Sequence, residues 1–240
     1  MTKEIKDHDI NIVKEHRDSP IEVLKWGIKK YHPRIAIASS FSVEDTIIID
    51  MATKIEPTIK VFYINTGFQF KETDEIKEAL KKRYQLNLVE YSSPLSIEEQ
   101  NRKYGPELNQ KDPNLCCSIR KVETIKKALK ELDAWITGLR IEQATTRRNI
   151  ETVELECTDD GRPLLKINPL AYWNKKQVWQ YIINNQLPYN PLYDKGYTSI
   201  GCEPCTRPIQ QGEDERAGRW AGKDKTECGI HTSMKTRKTL

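Results

Sequence analysis

The sequence predicts an α/β domain in which helices cover a parallel sheet. Three observations support this fold class. Short apolar segments alternate with amphipathic ones in the order β-α-β-α-β between residues 34 and 91. Polar loops follow the first two of these strands, at the sheet edge where parallel sheets bind their ligands. A length of 240 residues without a composition shift suits one domain followed by a tail.

The composition excludes several classes of protein. Lys and Arg number 39 against 35 Asp and Glu, which gives a net charge of +4 and a pI near 8.6. This excess mildly favours an anionic ligand but is too small to indicate nucleic-acid binding. The first residues contain no apolar signal region, and apolar runs such as 47–49 are far shorter than the roughly 18 residues of a membrane span. We therefore expect a soluble, cytoplasmic protein that binds neither nucleic acid nor membranes.

The first elements lead into a polar loop. Ser19-Pro20 predicts the start of a helix that stops before His32. The apolar run 34–38 then predicts a buried strand, and a helix is expected over residues 46–54. The loop Ser39–Asp45 between them resembles an anion site, because unpaired N–H groups at a helix N-terminus bind phosphate. An ordinary serine N-cap is the simpler interpretation of the same residues.

Two further strands are expected at residues 60–64 and 87–91, with a helix over 72–84 between them. Thr66 and Gly67 follow the first of these strands, and there they either contact a ligand or form a plain turn. A short helix is expected in the proline-containing connection between residues 91 and 114.

The second half of the chain extends the sheet and adds basic residues. A helix over residues 118–132 and a strand over 134–137 precede Arg140 and Arg147. Arginines after a strand end form either a solvated surface or an oxyanion site. The remaining expected elements are a strand pair at 153–157 and 164–168 and a helix at 175–185.

Four of the six cysteines form two close pairs, Cys116-Cys117 and the Cys-x-x-Cys of Cys202 and Cys205. Thiols grouped in twos, in a chain without signs of secretion, favour a metal site over disulfides. Four thiolates suit zinc or an iron–sulfur cluster, and the spacing does not distinguish the two. Cys157 is expected to be a structural thiol, and Cys228 in the tail is a candidate nucleophile.

Five motifs occur in one order along the chain. They are CCSIRK at 116–121, WITGLR at 135–140, GYTSIGCEPCTRP at 196–208, RAGRW at 216–220 and ECGIH at 227–231. Together they make the chain resemble the assimilatory adenylyl-sulfate (APS) reductases, with a match from about residue 35 to residue 231. The resemblance implies the parallel-sheet fold of the PP-loop adenine-nucleotide α-hydrolases, with the Ser39–Asp45 loop in the place of the modified P-loop. Ser42 stands where many relatives have glycine.

The resemblance also implies the site. The positions that match the ligands of a [4Fe–4S] cluster are Cys116, Cys117, Cys202 and Cys205. Cys228 matches the catalytic thiol. The positions that match or flank substrate-binding residues are Ser39, Ser40, Ser42, Thr66, Gly67, Lys121, Gly138, Arg140, Arg147, Arg216 and Arg219. Residues 1–208 would form the reductase domain, and residues 209–240 would form a mobile tail that contains the catalytic cysteine.

The implied reaction reduces APS to sulfite and AMP through a Cys228 S-sulfonate, with thioredoxin or a similar dithiol as the electron donor. The nearest alternative is a reductase that prefers 3′-phosphoadenylyl sulfate (PAPS) or uses both nucleotides. The complete set of four cysteines favours APS, since PAPS-type relatives usually lack it. Further alternatives are a PP-loop enzyme that thiolates RNA around a zinc site, and a non-enzymatic zinc or nucleic-acid module. The sequence leaves the oligomeric state open, and a homo-oligomer is compatible with it.

Overall fold

The computed structural model describes residue 13, residues 15–232 and residues 235–236. Of residues 231, 232, 235 and 236 it describes the backbone alone. The first residues, where we expect no signal region, and the last residues of the expected tail lie outside this part of the chain. Within it, no helix combines the length and the apolar character that crossing a membrane requires.

The first half of the chain forms three strands and the helices between them. The elements are α1 (Pro20–Tyr31), β1 (Ile35–Ala38), α2 (Val43–Ile55), β2 (Lys60–Asn65), α3 (Lys71–Tyr84) and β3 (Asn87–Ser92). The predicted strands and the first and third helices are confirmed to within a residue. Helix α2 begins three residues before the predicted start at Thr46, because Ser42 and Asp45 form a capping box. The polar loop after β1 is therefore shorter than predicted.

The segment that leads to the first cysteine pair is helical. Its elements are α4 (Ile97–Tyr104), α5 (Leu108–Lys111), α6 (Pro113–Cys117), a π-helical turn (Ser118–Val122) and α7 (Glu123–Leu129). The sequence predicted one short helix before the cysteines and a helix from Ser118 onwards. Instead, helix α6 begins at Pro113 because the Asp112 side chain accepts a hydrogen bond from Leu115 N at 2.9 Å. The cysteine pair consequently lies inside a helical segment.

The second half completes the sheet. Its strands and helices are β4 (Ala134–Ile136), β5 (Val153–Cys157), β6 (Pro163–Ile167), α8 (Lys175–Asn184), α9 (Gly229–Thr232) and β7 (Lys235–Thr236). Short 3₁₀ turns lie at Ile141–Gln143, Thr145–Arg147, Tyr193–Lys195 and Glu203–Cys205. The predicted pairing of β5 with β6 is confirmed, and so is helix α8, whose Val178 and Ile182 are buried.

The described strands form one sheet in the order β3-β2-β1-β4-β6-β5-β7. Strands β3, β2, β1, β4 and β6 pair in parallel, as predicted, whereas β5 runs antiparallel to both of its neighbours. The chain moves outward from β1 to β3 and then returns to place β4 on the other side of β1. The loops after β1 and β4 therefore diverge, and a crevice opens at this switch point.

Apolar side chains cover both faces of the sheet. On one face, residues 47–49 of α2 are fully buried against the strand residues Ile35, Ile37 and Ile136. On the other face, helix α7 packs against Phe62 and the neighbouring strands. Burying each such side chain contributes about 1.5–3 kcal/mol. This double-sided core fixes the strand ends from which the loops of the crevice extend.

Candidate active site

A cavity of about 230 Å³ opens at the carboxyl ends of β1 and β4. Its wall contains all but one of the residues expected to bind substrate: Ser39, Ser40, Ser42, Thr66, Lys121, Gly138, Arg140, Arg147, Arg216 and Arg219. Cys202 and Cys228 line the same cavity. The exception is Gly67, which adopts a left-handed turn with φ 73° and donates its N–H to Asn65 Oδ1 at 2.9 Å.

The loop after β1 uses its polar groups to hold its own shape. Asp45 Oδ2 accepts hydrogen bonds from Ser40 N at 2.7 Å, Ser40 Oγ at 2.9 Å and Ser42 N at 3.4 Å. Phe41 N donates to Ser39 Oγ at 3.0 Å, and Phe41 has a left-handed φ of 60°. Burial raises the pKa of Asp45 to about 6, although these hydrogen bonds oppose the shift. The sequence predicted unpaired N–H donors here, but these three are bonded within the protein.

The loop after β4 lies directly against the first turn of α2. A Cβ atom on Gly138 would lie 2.6 Å from Asp45 Oδ1 and 2.9 Å from Glu44 Cβ, so only glycine permits this approach. Arg140 is buried, and its Nε donates to Glu44 Oε1 at 2.9 Å. Its Nη1 donates to Trp173 O at 3.2 Å. Arg140 thus joins the end of β4 to α2, and Glu44 balances its charge at the cavity wall.

The two cysteine pairs, far apart in the sequence, meet beside the cavity. The thiols that line a small second cavity are Cys116, Cys117, Cys202 and Cys205. All four are free. Lys121 and Arg219 border both cavities. Thr66 Oγ1 lies 3.4 Å from Cys202 Sγ, so the loop after β2 contacts the cysteine site as well.

The residues around the second cavity fit a thiolate-bound iron–sulfur cluster in their chemistry. Four sulfur ligands are the set that such clusters take. Arg120 is buried and donates Nη1 to Thr66 O at 2.8 Å, but its Nε and Nη2 have no partner among the described residues. A buried cation with free donors suits an anionic neighbour. In the same part of the chain, no group of three or more Cys, His, Asp or Glu residues is arranged to hold a single metal ion. The fit is therefore one of donor type and charge.

Lys121, like Arg219, is a cation that borders both cavities. Burial opposes the charged form of Lys121, but its electrostatic interaction with the nearby thiols, Cys202 foremost, outweighs burial and raises the pKa of Lys121. Burial, reinforced by the charge of neighbouring thiols, raises the pKa of Cys116 and of Cys205 to about 11. Lys121 therefore stays protonated at neutral pH and can stabilise negative charge on either side.

The tail places two arginines beside Cys228. Nη1 of Arg216 and Nη1 of Arg219 each donate to Ser199 Oγ at 3.3 Å. The Arg219 guanidinium lies 4.5 Å from the ring centroid of Trp220. Nε of both arginines is buried and has no hydrogen-bond partner within the described residues. Cys228 is 8% exposed. The cavity thus places a thiol among cationic side chains, an arrangement that suits an oxyanion.

Glu227 connects these groups to the loop after β4. Its Oε1 lies 2.7 Å from Arg147 Nη2 and 3.0 Å from Arg216 Nη2. Burial opposes ionisation of Glu227, but the hydrogen bonds and charge of Arg147, with the charge of Arg216, lower its pKa to about 2. Burial and the charge of Arg147 lower the pKa of Arg216 to about 10. Glu227 and Arg216 are therefore both charged at neutral pH.

Four residues that shape the cavity were not predicted as site residues. Glu44 and Asp45 were predicted to lie in the loop at the sheet edge, but the helix start was predicted too late, so the capping box that Asp45 forms was not recognised. Ser199 and Glu227 lie inside recognised motifs. Their spacing gives no sign that they contact arginines elsewhere in the chain, although the position of Glu227 next to Cys228 is a usable signal.

Comparison with known proteins gives a consistent result. Residues 34–208 match the family profile described as phosphoadenosine phosphosulfate reductase domain. The adenosine 5′-phosphosulfate reductase 2 of Bacillus subtilis is 46% identical over 88% of this chain and 89% of its own. The adenosine 5′-phosphosulfate reductase of Lysinibacillus sphaericus is 44% identical over 88% of this chain and 90% of its own.

Solved structures extend the comparison to the fold. The phosphoadenylyl-sulfate (PAPS) reductase of Candida auris, solved as a phosphate complex, is 29% identical with a TM-score of 0.74. The match covers 86% of this chain and all of that one. The FMN adenylyltransferase of Candida glabrata, solved with FMN and an ATP analogue, is 16% identical with a TM-score of 0.58 over 88% of this chain and 72% of that one. The second likeness concerns the fold alone.

Proposed function

Because this chain belongs to the phosphoadenosine phosphosulfate reductase domain family, we propose that it reduces adenosine 5′-phosphosulfate (APS) to sulfite and AMP in assimilatory sulfate reduction. It is then an oxidoreductase that acts on a sulfur group. One observation carries the proposal: Cys228 lines the same cavity as Lys121, Arg216 and Arg219, at the switch point of the sheet. A nucleophile beside several cations suits an anionic, electrophilic substrate.

In the first step, the Cys228 thiolate attacks the sulfur atom of APS. An S–S bond forms to the sulfonate, the S–O bond to AMP breaks, and AMP leaves with the electron pair of that bond. The enzyme is left with a Cys228 S-sulfonate. This step needs no external reductant, because the sulfonate group is transferred from an oxygen of AMP to Sγ of Cys228.

The cations lower the barrier to this attack. A thiolate that approaches an anionic sulfonate is repelled, and negative charge moves onto the AMP oxygens as the bond breaks. Arg216 and Arg219 line the cavity beside Cys228, and Lys121 lies between the thiols and the cavity. In a comparable site, removing one preorganised donor of this kind raises the activation free energy by about 2.7–4 kcal/mol.

In the second step, a thioredoxin-type dithiol regenerates the enzyme. One donor thiolate attacks Sγ of Cys228, sulfite leaves, and a mixed disulfide forms. The second donor thiol then releases Cys228, and the donor leaves as its disulfide with two electrons delivered. Cys228 is buried, so this step requires the tail, residues 209–240, to move away from the reductase domain. We place the reaction in the cytoplasm, where thiols stay reduced.

The four thiols of the second cavity are proposed to hold a [4Fe–4S] cluster. Their number, their location beside Arg120 and the free donors of that arginine support the assignment. When bound, such a cluster supplies a negative inorganic centre and cross-links the two cysteine pairs. Lys121 borders the thiols and the cavity, and its charge acts on both.

A reductase of PAPS, or of both nucleotides, is the second candidate. The similarity to the Candida auris PAPS reductase favours this alternative, whereas the curated bacterial relatives are named for APS. The added 3′-phosphate distinguishes the two substrates, so they are best compared side by side.

The test is mass spectrometry of the Cys228 peptide. The holoprotein is mixed anaerobically with APS or PAPS at equal concentration, without a dithiol, and then digested with trypsin. Cleavage after Lys225 and Lys235 releases residues 226–235, in which Cys228 is the single cysteine. We expect this peptide to gain a sulfonate with release of AMP from APS, and to do so faster than with PAPS.

The control distinguishes Cys228 from Cys157, the other free thiol outside the four-cysteine site. Cys228→Ser is expected to form no adduct and no sulfite, whereas Cys157→Ser keeps both, because Cys157 lies on β5 outside the cavity wall. Equal labelling by both nucleotides makes the enzyme bifunctional. A cluster-replete protein that gains no sulfonate from either nucleotide contradicts the proposed function.

A further inference from the structure

The side chain of Glu227 uses both of its carboxylate oxygens. Oε1 accepts from Arg147 Nη2 at 2.7 Å, from Arg216 Nη2 at 3.0 Å and from the backbone N–H of Cys228 at 3.1 Å. Oε2 accepts from Arg147 Nε at 2.9 Å and from Thr146 Oγ1 at 3.1 Å. The pair with Arg147 is therefore bidentate, the geometry that orients an arginine most strictly.

Glu227 does not touch the space in which a substrate would lie. Arg147, Arg216 and Cys228 line the main cavity, whereas Glu227 is not part of its wall. The carboxylate therefore reaches these three residues from behind. It can change the reaction only through the groups that it holds.

Glu227 links two parts of the chain. Arg147 belongs to the 3₁₀ turn after β4, in the body of the domain, while Arg216 and Cys228 belong to the tail. The side chains of Glu227 and Arg147 are 12% and 9% exposed. By contrast, the bond from Lys225 Nζ to Asn114 Oδ1, which also joins the tail to the body, is exposed to solvent. Buried, bidentate ion pairs hold their geometry far better than exposed pairs do.

We propose that Glu227 is a positioning residue, which ties the catalytic thiol to the arginines that bind the substrate. The inference rests on the proposed function. The carboxylate offsets the repulsion between two largely buried guanidinium groups, fixes their orientation towards the cavity, and holds the backbone of Cys228 beside them. The nucleophile and its oxyanion donors are thus assembled as one unit when the tail is closed. Release of the tail to the dithiol breaks the bonds between Glu227 and Arg147.

The first test measures closure of the tail without any substrate. Holoprotein is treated anaerobically with iodoacetamide, and alkylation of the peptide 226–235 is followed by mass spectrometry. Glu227→Gln is expected to raise the alkylation rate of Cys228 by roughly 10-fold or more, because the variant leaves Arg147 without its charged partner. The matched control is Glu213→Gln. Glu213 also makes a bidentate pair, with Arg207 at 2.8 Å, but both residues lie outside the cavity wall.

The second test measures the chemical step. In single-turnover mixing with APS, Glu227→Gln is expected to slow formation of the Cys228 S-sulfonate at saturating APS by on the order of 10²-fold, because a displaced nucleophile loses orientation. The APS concentration for half-maximal rate should rise by much less, about 3- to 10-fold, because Arg147 and Arg216 keep their charge in the cavity wall and lose only their fixed orientation. A variant that was only less stable would not slow the reaction at saturating APS so much more than it changes the APS concentration for half-maximal rate. Glu213→Gln should match the wild type in both measures.

Glu227→Asp provides a second variant. It keeps the charge but withdraws the carboxylate by one methylene, so alkylation and S-sulfonate formation should fall between the wild type and Glu227→Gln. Wild-type alkylation rates in both variants overturn the proposal, and so does a wild-type S-sulfonate rate in Glu227→Gln. If the wild-type protein itself forms no S-sulfonate, the proposed function has failed. The alkylation measurement still decides the role of Glu227 in that event.

Discussion

The two ends of the cavity prepare for an anion in different ways. At the end next to β1, the N–H groups of Ser40 and Ser42 donate to Asp45, so these donors of the loop already have partners within the protein. At the opposite end, Nε of Arg216 and of Arg219 are buried without a partner among the described residues. The donors of the loop are thus satisfied within the protein, while the arginine end contains cationic groups whose donors are not all satisfied.

This difference indicates where the reaction should be sensitive. Buried donors without a partner cost free energy in the empty site and recover it when an anion arrives. Donors that already have a partner must give it up before they can bind anything else. We therefore expect substitutions at the cysteine–arginine end to affect the rate strongly. Substitutions at the loop end should act mainly on stability.

The largest effect should come from Cys202→Ser at the cysteine–arginine end. Cys202 lines both cavities and lies 3.4 Å from Thr66 Oγ1. Removing one of four thiolates should abolish cluster binding and sulfite formation together. The measurements are iron and acid-labile sulfide content, the brown colour, and sulfite production. Cys157→Ser is the control and should retain all of them. Full iron content and activity in Cys202→Ser contradict the ligand assignment.

The next effect concerns Arg219→Lys. The Arg219 guanidinium stacks on Trp220, bonds Ser199 through Nη1 and leaves Nε free. Gly201 lies directly against it, since a Cβ there would be 2.3 Å from Nη2. Lysine keeps the charge but has neither the planar fork nor the stacking face. We expect kcat/KM for APS to fall by about 10²-fold, the loss seen when one oxyanion donor is removed.

Arg207→Lys is the matched control for this substitution. Arg207 lies in the same part of the chain and pairs with Glu213, but it is absent from both cavity walls. Its activity should stay within about 2-fold of the wild type, because a half-exposed ion pair contributes little. An Arg219→Lys variant as active as Arg207→Lys would remove the distinction between the two ends of the cavity.

Much of the fold could be predicted from local pattern. Short apolar runs such as 34–38 and 60–64 matched the observed strands because a strand buried on both faces has almost no alternative. The start of α2 was predicted too late because the capping box of Ser42 and Asp45 was read as loop. The position of β6 beside β4, with β5 on its outer side, depends on the order of all the strands, which local pattern does not contain.

The site was predictable by residue type but not by contact. The two cysteine pairs and Cys228 stand out in the sequence, and the structure brings all five thiols to two adjoining cavities. The bonds between Glu227 and Arg147 span 80 positions, and those between Arg140 and Glu44 span 96. Such contacts arise from the tertiary fold, so no spacing of residues in the sequence predicts them. Which donors stay unpaired is likewise decided only after folding.

The smallest effect, and the one that tests the loop end directly, is expected for Ser42→Ala. Ser42 Oγ accepts a hydrogen bond from Asp45 N at 3.3 Å and so caps α2. Its loss should lower the free energy of unfolding by about 1 kcal/mol. Because the loop donors are already bonded within the protein, KM for APS should change by less than about 3-fold. Urea unfolding and steady-state kinetics measure the two quantities.

Ser96→Ala provides the matched cap. Ser96 and Glu99 form the same capping box at the start of α4, where Ser96 Oγ accepts from Glu99 N at 3.1 Å, and neither residue lines either of the two cavities described above. Both serine variants should lose similar stability and keep similar KM values. If Ser42→Ala alone raises KM by more than about 10-fold, the hydroxyl contacts the nucleotide and the loop takes part in binding. The cavity would then hold its substrate from both ends. On binding, the N–H donors of the loop would leave Asp45 and turn to the nucleotide.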